Sequence, residues 1–152
     1  MNSFIFDKFS EIKPKEYSYD FSKSNEQMHW DIYYRHRFKM NGRTYYATML
    51  GNQDYPTAYI AFDTNSMDTT KCIEDNCYYY NNGNFTQDFS YYEERNNKII
   101  LGWDYAHIHD YRFNNLTGKK HTTESVIADI KQTIKEVDDF LFTYAQRNEK
   151  KK

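Results

Sequence analysis

The sequence predicts an α+β domain. It would be an antiparallel, hairpin-rich sheet of about five strands, packed by a long C-terminal amphipathic helix, with a short helix at the N-terminus. Three observations carry this expectation. Residues 30–40 alternate with a period of two and run straight into Asn41-Gly42. Residues 99–103 form a continuous apolar run. Val126, Ile130, Ile134, Val137 and Leu141 recur at helical spacing near the end of the chain.

Taken in chain order, Ile5, Phe9 and Ile12 share helical spacing ahead of Pro14, which predicts the short N-terminal helix. Residues 14–28 read as a loop. In 30–40 the even positions Trp30, Ile32, Tyr34, His36, Phe38 and Met40 are expected on the core face, which makes His36 a core histidine. The odd positions, with Arg35, Arg37 and Lys39, are expected in water. Asn-Gly is the strongest short hairpin signal, so 43–50 should return antiparallel. Residues 57–62 follow Pro56 as a third strand and Cys77-Tyr78-Tyr79-Tyr80 reads as a fourth, with 85–92 extending the sheet. Asn96-Asn97-Lys98 marks a turn into 99–103, a strand buried on both faces. Thr122 and Thr123 offer N-caps for the last helix. Its outer side carries Lys131, Lys135, Glu136, Asp138 and Asp139, and residues 148–152 are expected to fray.

Composition bounds the function. At 152 residues, with no repeat and no Pro-, Gly- or Ser-rich linker, one domain spanning 1–152 is expected. The N-terminus lacks the basic-then-apolar pattern of a secretory signal, and no apolar run reaches the ~18–20 residues needed to span a bilayer. A chain that starts here and stays in the cytosol is expected. A net charge of −2 gives no broad pull toward a nucleic acid polymer or a membrane. The cluster Arg35, Arg37, Lys39 and Arg43 reads as a solvated hairpin face. Cys72 and Cys77 supply half of a structural zinc set, so free thiols are expected and the spacing implies neither a metal nor a cofactor. Sixteen Tyr, eleven Phe and two Trp are too many to sit entirely inside. Some must line a pocket, a surface or a contact with a second copy, so self-association is an expectation.

The motif most suited to chemistry is Gly102-Trp103-Asp104-Tyr105-Ala106-His107-Ile108-His109-Asp110, at the end of a buried strand. A tight turn after Trp103 would bring Asp104, His107 and Asp110 together. Three readings stay open. The polar groups could bond nearby backbone. They could orient a ligand stacked on Trp103 or Tyr105. Carboxylate and imidazole could also hold a divalent ion or move a proton. No nucleophile elbow, phosphate loop, dinucleotide fingerprint or paired-histidine zinc motif is present. His121-Thr122-Thr123 matches half of a two-histidine phosphoesterase motif, but its second half is missing.

The segment 102–110 resembles the G-F-D-x-A-H-x-G-D stretch of a family of small proteins encoded by phages and mobile elements. Residues 57–60, the segment Asn82-Gly83-Asn84-Phe85-Thr86 and the helix 126–141 are similar to the rest of that family's layout. Trp103 stands where the family has Phe, His109 where it has Gly, and Asn82 and Asn84 where it has His and Gly. The resemblance implies a phage-type accessory protein acting against host defence. With the aromatic surplus, the expectation is a non-enzymatic binder that sequesters a nucleotide-like signalling molecule. Trp103, Asp104, His107, Asp110, Asn82 and Thr86 would line its site. The alternatives are a protein-binding inhibitor of a host defence component and a metal-dependent phosphoesterase built on Asp104, His107 and Asp110.

Overall fold

The computed structural model describes residues 9–22, 28–63, 72–79, 83 and 85–150. Five strands form one antiparallel sheet: β1 (Asp31–Met40), β2 (Arg43–Gly51), β3 (Pro56–Asp63), β4 (Tyr91–Arg95) and β5 (Lys98–Asp104). Their order across the sheet is β1-β2-β3-β5-β4. One long helix, α1 (Thr123–Lys150), packs on it. The α+β class and the five antiparallel strands are as the sequence predicts.

Two turns set the register. Asn41 and Gly42 adopt φ of 51° and 78°, the left-handed pair that a tight two-residue hairpin requires. Asn96 and Asn97 do the same at 53° and 62° between β4 and β5. Asparagine tolerates this region better than any residue but glycine. The hairpin β4–β5 is then inserted with β5 against β3, pairing Ile60 with Leu101 and Ala58 with Trp103. The apolar run of β5 thereby lies in the sheet interior, and residues 99–103 are buried throughout.

The helix face of the sheet holds the main core. Tyr45, Ala47 and Met49, then Ala58, Ile60 and Phe62, then Ile99, Leu101 and Trp103 meet Val126, Ile130, Ile134, Val137 and Leu141 of α1. Burial of each large side chain contributes on the order of 1.5–3 kcal/mol. Thr122 caps α1, its Oγ1 accepting from Ser125 N at 3.0 Å while Ser125 Oγ accepts from Thr122 N at 2.9 Å. Thr123 instead ties the helix to the N-terminal segment, its Oγ1 accepting from Tyr17 N at 2.8 Å. The opposite sheet face carries a smaller cluster of Leu50, Tyr59, Ala61 and Ile100, with Trp30, Ile32, Tyr46 and Tyr91 against it.

Several expectations change. The register slips between Ile32 and Tyr34, so Ile32 pairs with Leu50 and Tyr34 with Met49. This bulge puts an extra residue, Tyr33, into β1 and flips the side-chain phase. Trp30 and Ile32 therefore lie on the face opposite Tyr34 and Phe38, and Arg35 is buried with its guanidinium 4.2 Å from the Phe9 ring centre. His36 is not a core residue: its side chain is 45% exposed and its Nδ1 lies 2.6 Å from Glu11 Oε2. Residues 9–12 are not helical; Ile12 pairs with Arg35 as an added bridge along the edge of β1. The remainder of the predicted N-terminal helix lies outside the described residues. Glu74–Tyr79 is a π-helical segment rather than a strand. Asn76 Nδ2 donates to the Cys72 carbonyl one turn back at 2.9 Å, which holds that backbone helical against the strand preference of its aromatics. Residues 85–90 are not strand either, and β4 starts only at Tyr91. The helix runs to Lys150, into the tail expected to fray. Among the described residues no helix is long and apolar enough to cross a membrane.

Candidate functional site

The site is built by the loop 105–122 that joins β5 to α1. The loop starts with an Asx turn, Asp104 Oδ1 accepting from Ala106 N at 3.1 Å. It turns again over 107–110, where Asp110 N donates to the His107 carbonyl at 3.0 Å. It then closes on itself: Lys119 N donates to the His109 carbonyl and Tyr111 N to the Lys119 carbonyl, both at 2.9 Å. Gly118 makes the closure possible, because a Cβ there would lie 2.4 Å from the backbone of Asp110. We expect Gly118→Val to open this loop, seen as faster amide exchange at Tyr111 and Lys119 with the sheet unchanged.

A second clamp fixes the loop to the sheet. Asp54, buried in the β2–β3 turn, accepts from Arg112 Nε at 3.0 Å and Nη2 at 2.6 Å, and from Phe113 N at 2.8 Å. The same guanidinium lies 4.9 Å from the Tyr55 ring centre.

Asp110 is the centre of the arrangement. It is 1% exposed. Its Oδ2 accepts from the backbone N of His107 at 2.9 Å and lies 3.1 Å from His107 Nδ1. Its Oδ1 lies 2.8 Å from His121 Nε2 and 3.6 Å from His109 Nε2. Burial pushes the carboxyl upward, but the His107 amide and the His121 ring outweigh it and hold Asp110 below the usual carboxylate range. The carboxylate therefore stays charged and orients two imidazoles. His121 is itself buried, with Tyr105 packed on its ring at 4.3 Å and its backbone N donating to Tyr19 Oη at 3.0 Å.

Behind this cluster runs a chain of bonds into the core. Trp103 Nε1 donates to Tyr105 Oη at 3.0 Å, and Tyr105 Oη donates to Asp129 Oδ2 of α1 at 2.8 Å. Burial raises the Tyr105 hydroxyl far above the ordinary tyrosine range, so it serves as a fixed donor.

In front lies a cavity of about 330 Å³. Its lining includes Asp104, His107, His109, Asp110, Lys119 and His121, with Thr86, Tyr105 and Asp129 at the sides. Most of the lining residues carry polar groups, and the cavity is large enough for the polar part of a small ligand.

The residues singled out from the sequence fall into three groups. Asp104, His107 and Asp110 reach the same cavity, and Thr86 stands at its edge with Oγ1 donating to Glu136 Oε2 at 2.7 Å. Trp103 does not reach it. Facing α1 with Ile99 and Leu101, it is 1% exposed and packs on Phe89 at 5.9 Å, so it is no stacking platform. Asn82 lies outside the described residues. The sequence reading set His121 aside and did not place His109, Lys119 or Asp129 in the site. A usable signal existed for the first two: His109 adjoins Asp110, and His121 sits just ahead of the helix cap.

Comparison of the chain with protein-family models, curated proteins and solved structures gives no match.

Proposed function

We propose that the protein is a non-enzymatic binder that holds a small phosphorylated, nucleotide-like ligand in the cavity of the 105–122 loop. The observation that carries this reading is the buried Asp110 carboxylate, which orients His107 and His121 at the floor of an open cavity lined largely by polar residues. A buried charge is costly unless it is paired and hydrogen-bonded, and a paired buried group lining a cavity marks a candidate site. Here the same carboxylate fixes a half-exposed imidazole facing that cavity. Lys119 and His109 add nitrogen donors at the mouth, where phosphate or ribose oxygens would be met. The carboxylates of Asp104 and Asp129 are engaged by Ala106 N and Tyr105 Oη, which blunts their repulsion of an anion. With Trp103 buried, the base would rest on the exposed, parallel rings of His107 and His109, whose centres are 5.6 Å apart. The resemblance of 102–110 to proteins of phages and mobile elements favours a role against host defence, by sequestering a signal.

A protein-binding inhibitor is the second reading. It is favoured by Ile108, 94% exposed at the tip of the same loop, with Phe113 and Leu116 also exposed.

The test is a thermal-shift screen of the purified chain against cyclic dinucleotides, cyclic oligonucleotides and NAD-derived signals, with mass spectrometry of each recovered hit. A ligand at 100 times its Kd adds ~2.7 kcal/mol, raising Tm by about 5–10 °C. Intact recovered ligand supports sequestration. Recovered product moves the assignment to a phosphoesterase. No shift with any compound rejects the small-ligand reading and leaves the inhibitor, for which Ile108→Asp should abolish capture of the target.

A further inference from the structure

We propose that His107, His109 and Asp110 form a binding site for one divalent first-row transition ion. The inference rests on the cavity described above but not on the identity of its ligand. The ligand atoms of these three residues all lie within 4.8 Å of one another. Two separations, 3.1 Å from His107 Nδ1 to Asp110 Oδ2 and 3.6 Å from His109 Nε2 to Asp110 Oδ1, each to a different oxygen of the carboxylate, are close to the spacing of ligands around one ion. Bonds of ~2.0–2.2 Å to nitrogen and oxygen place neighbouring ligands roughly 3.0–3.5 Å apart.

The local backbone favours such a set. The turn over 107–110 brings both imidazoles alongside the carboxylate, and the rings lie within 5° of parallel. Both histidines are exposed enough to turn toward an ion; the His109 side chain is 71% exposed. Asp110 is fixed from behind by His121 Nε2 and by the His107 amide, the outer bonds that hold a ligating carboxylate in place. Two imidazoles and a carboxylate, with no thiolate, suit Zn²⁺, Co²⁺, Ni²⁺ or Mn²⁺ rather than Ca²⁺ or Mg²⁺. Three protein ligands leave coordination positions open, and these face the cavity. A phosphate oxygen of the held ligand fills one. The ion also offsets the negative charge of Asp104, Asp110 and Asp129. Binding replaces the His107–Asp110 contact by two bonds to the ion, with His107 ligating through Nδ1 as the neutral tautomer that carries its proton on Nε2.

Zn²⁺ and Co²⁺ titrations of the full chain without any nucleotide test the site directly. One Zn²⁺ per chain after dialysis is expected, as is visible Co²⁺ absorption typical of a protein-bound ion. His109→Ala should weaken metal binding at least tenfold with unchanged circular dichroism. His36→Ala, which removes an imidazole on β1, should leave it intact. No stoichiometric binding, or binding that His109→Ala leaves unchanged, overturns the site. The two readings separate: stoichiometric metal binding with no Tm shift by any nucleotide keeps the ion site and rejects the ligand, whereas a nucleotide Tm shift that survives chelator keeps the cavity's ligand but removes the metal from its recognition.

Discussion

Replacing Asp110 by alanine is expected to cost about 3 kcal/mol, the penalty for taking the charged partner from a buried hydrogen-bonded set. Tm should fall by roughly 6–12 °C for a chain of this length. The reason lies in what Asp110 does for the loop. Its two oxygens meet the His107 amide, the His107 ring and the His121 ring, so one substitution releases both the turn over 107–110 and the approach to α1. Ligand binding should be lost at the same time. The pH dependence of the metal-free protein carries the same signature. Because the folded carboxyl is held below its ordinary range, its stabilisation is complete above that range. It is lost as pH falls through the lowered value. Urea melts at pH 7 and at a pH below the ordinary carboxylate range should therefore show a gap between the parent and Asp110→Asn that narrows in the more acidic melt. A gap that stays constant would show that Asp110 contributes shape and not charge.

Trp103→Ala should have the other large effect, about 4 kcal/mol, through the cavity it opens between β5 and α1. The indole is fully buried, packs edge-on against Phe89 and donates to Tyr105 Oη. A Tm loss of roughly 8–16 °C is expected. Trp103→Phe separates the two possible roles. It keeps an apolar ring in the core but removes the indole N–H and part of the ring volume, so a stability loss of about 2 kcal/mol is expected with ligand affinity unchanged. A sharp fall in affinity with stability retained would mean that Trp103 contacts the ligand after all.

The contrast between these residues shows what could be read from the chain. Asn41-Gly42, the Asn96-Asn97 turn and the 99–103 run are local signals, and each forms the element it announces. The stripe from Val126 to Leu141 likewise meets the sheet. Trp103 was legible in principle, since it shares the parity of Ile99 and Leu101. At the last turn of a strand, however, parity alone does not say whether the helix covers it. The bulge at Tyr33 was not legible. A one-residue slip leaves the alternation intact on both sides and only changes which face each half serves. Within the site, Asp104, His107 and Asp110 were found by spacing because two short turns bring them together. His121 was noted but not joined to this set, because it reaches Asp110 only after the loop has closed over Gly118. Asp129 was missed because it comes from the helix, through Tyr105.

The most direct test of the binding proposal is an isothermal titration of the best ligand from the screen into the parent protein and into Lys119→Ala. Lys119 holds the loop through its backbone N and carbonyl, which alanine retains, so this variant should keep the fold. Lys119 is among the residues that line the cavity, and its ammonium is the group proposed to meet a phosphate. We predict affinity weakened about tenfold or more, in line with loss of one charge-assisted contact. Unchanged affinity in a folded Lys119→Ala protein would mean that the ligand sits elsewhere and would contradict the assignment of this cavity.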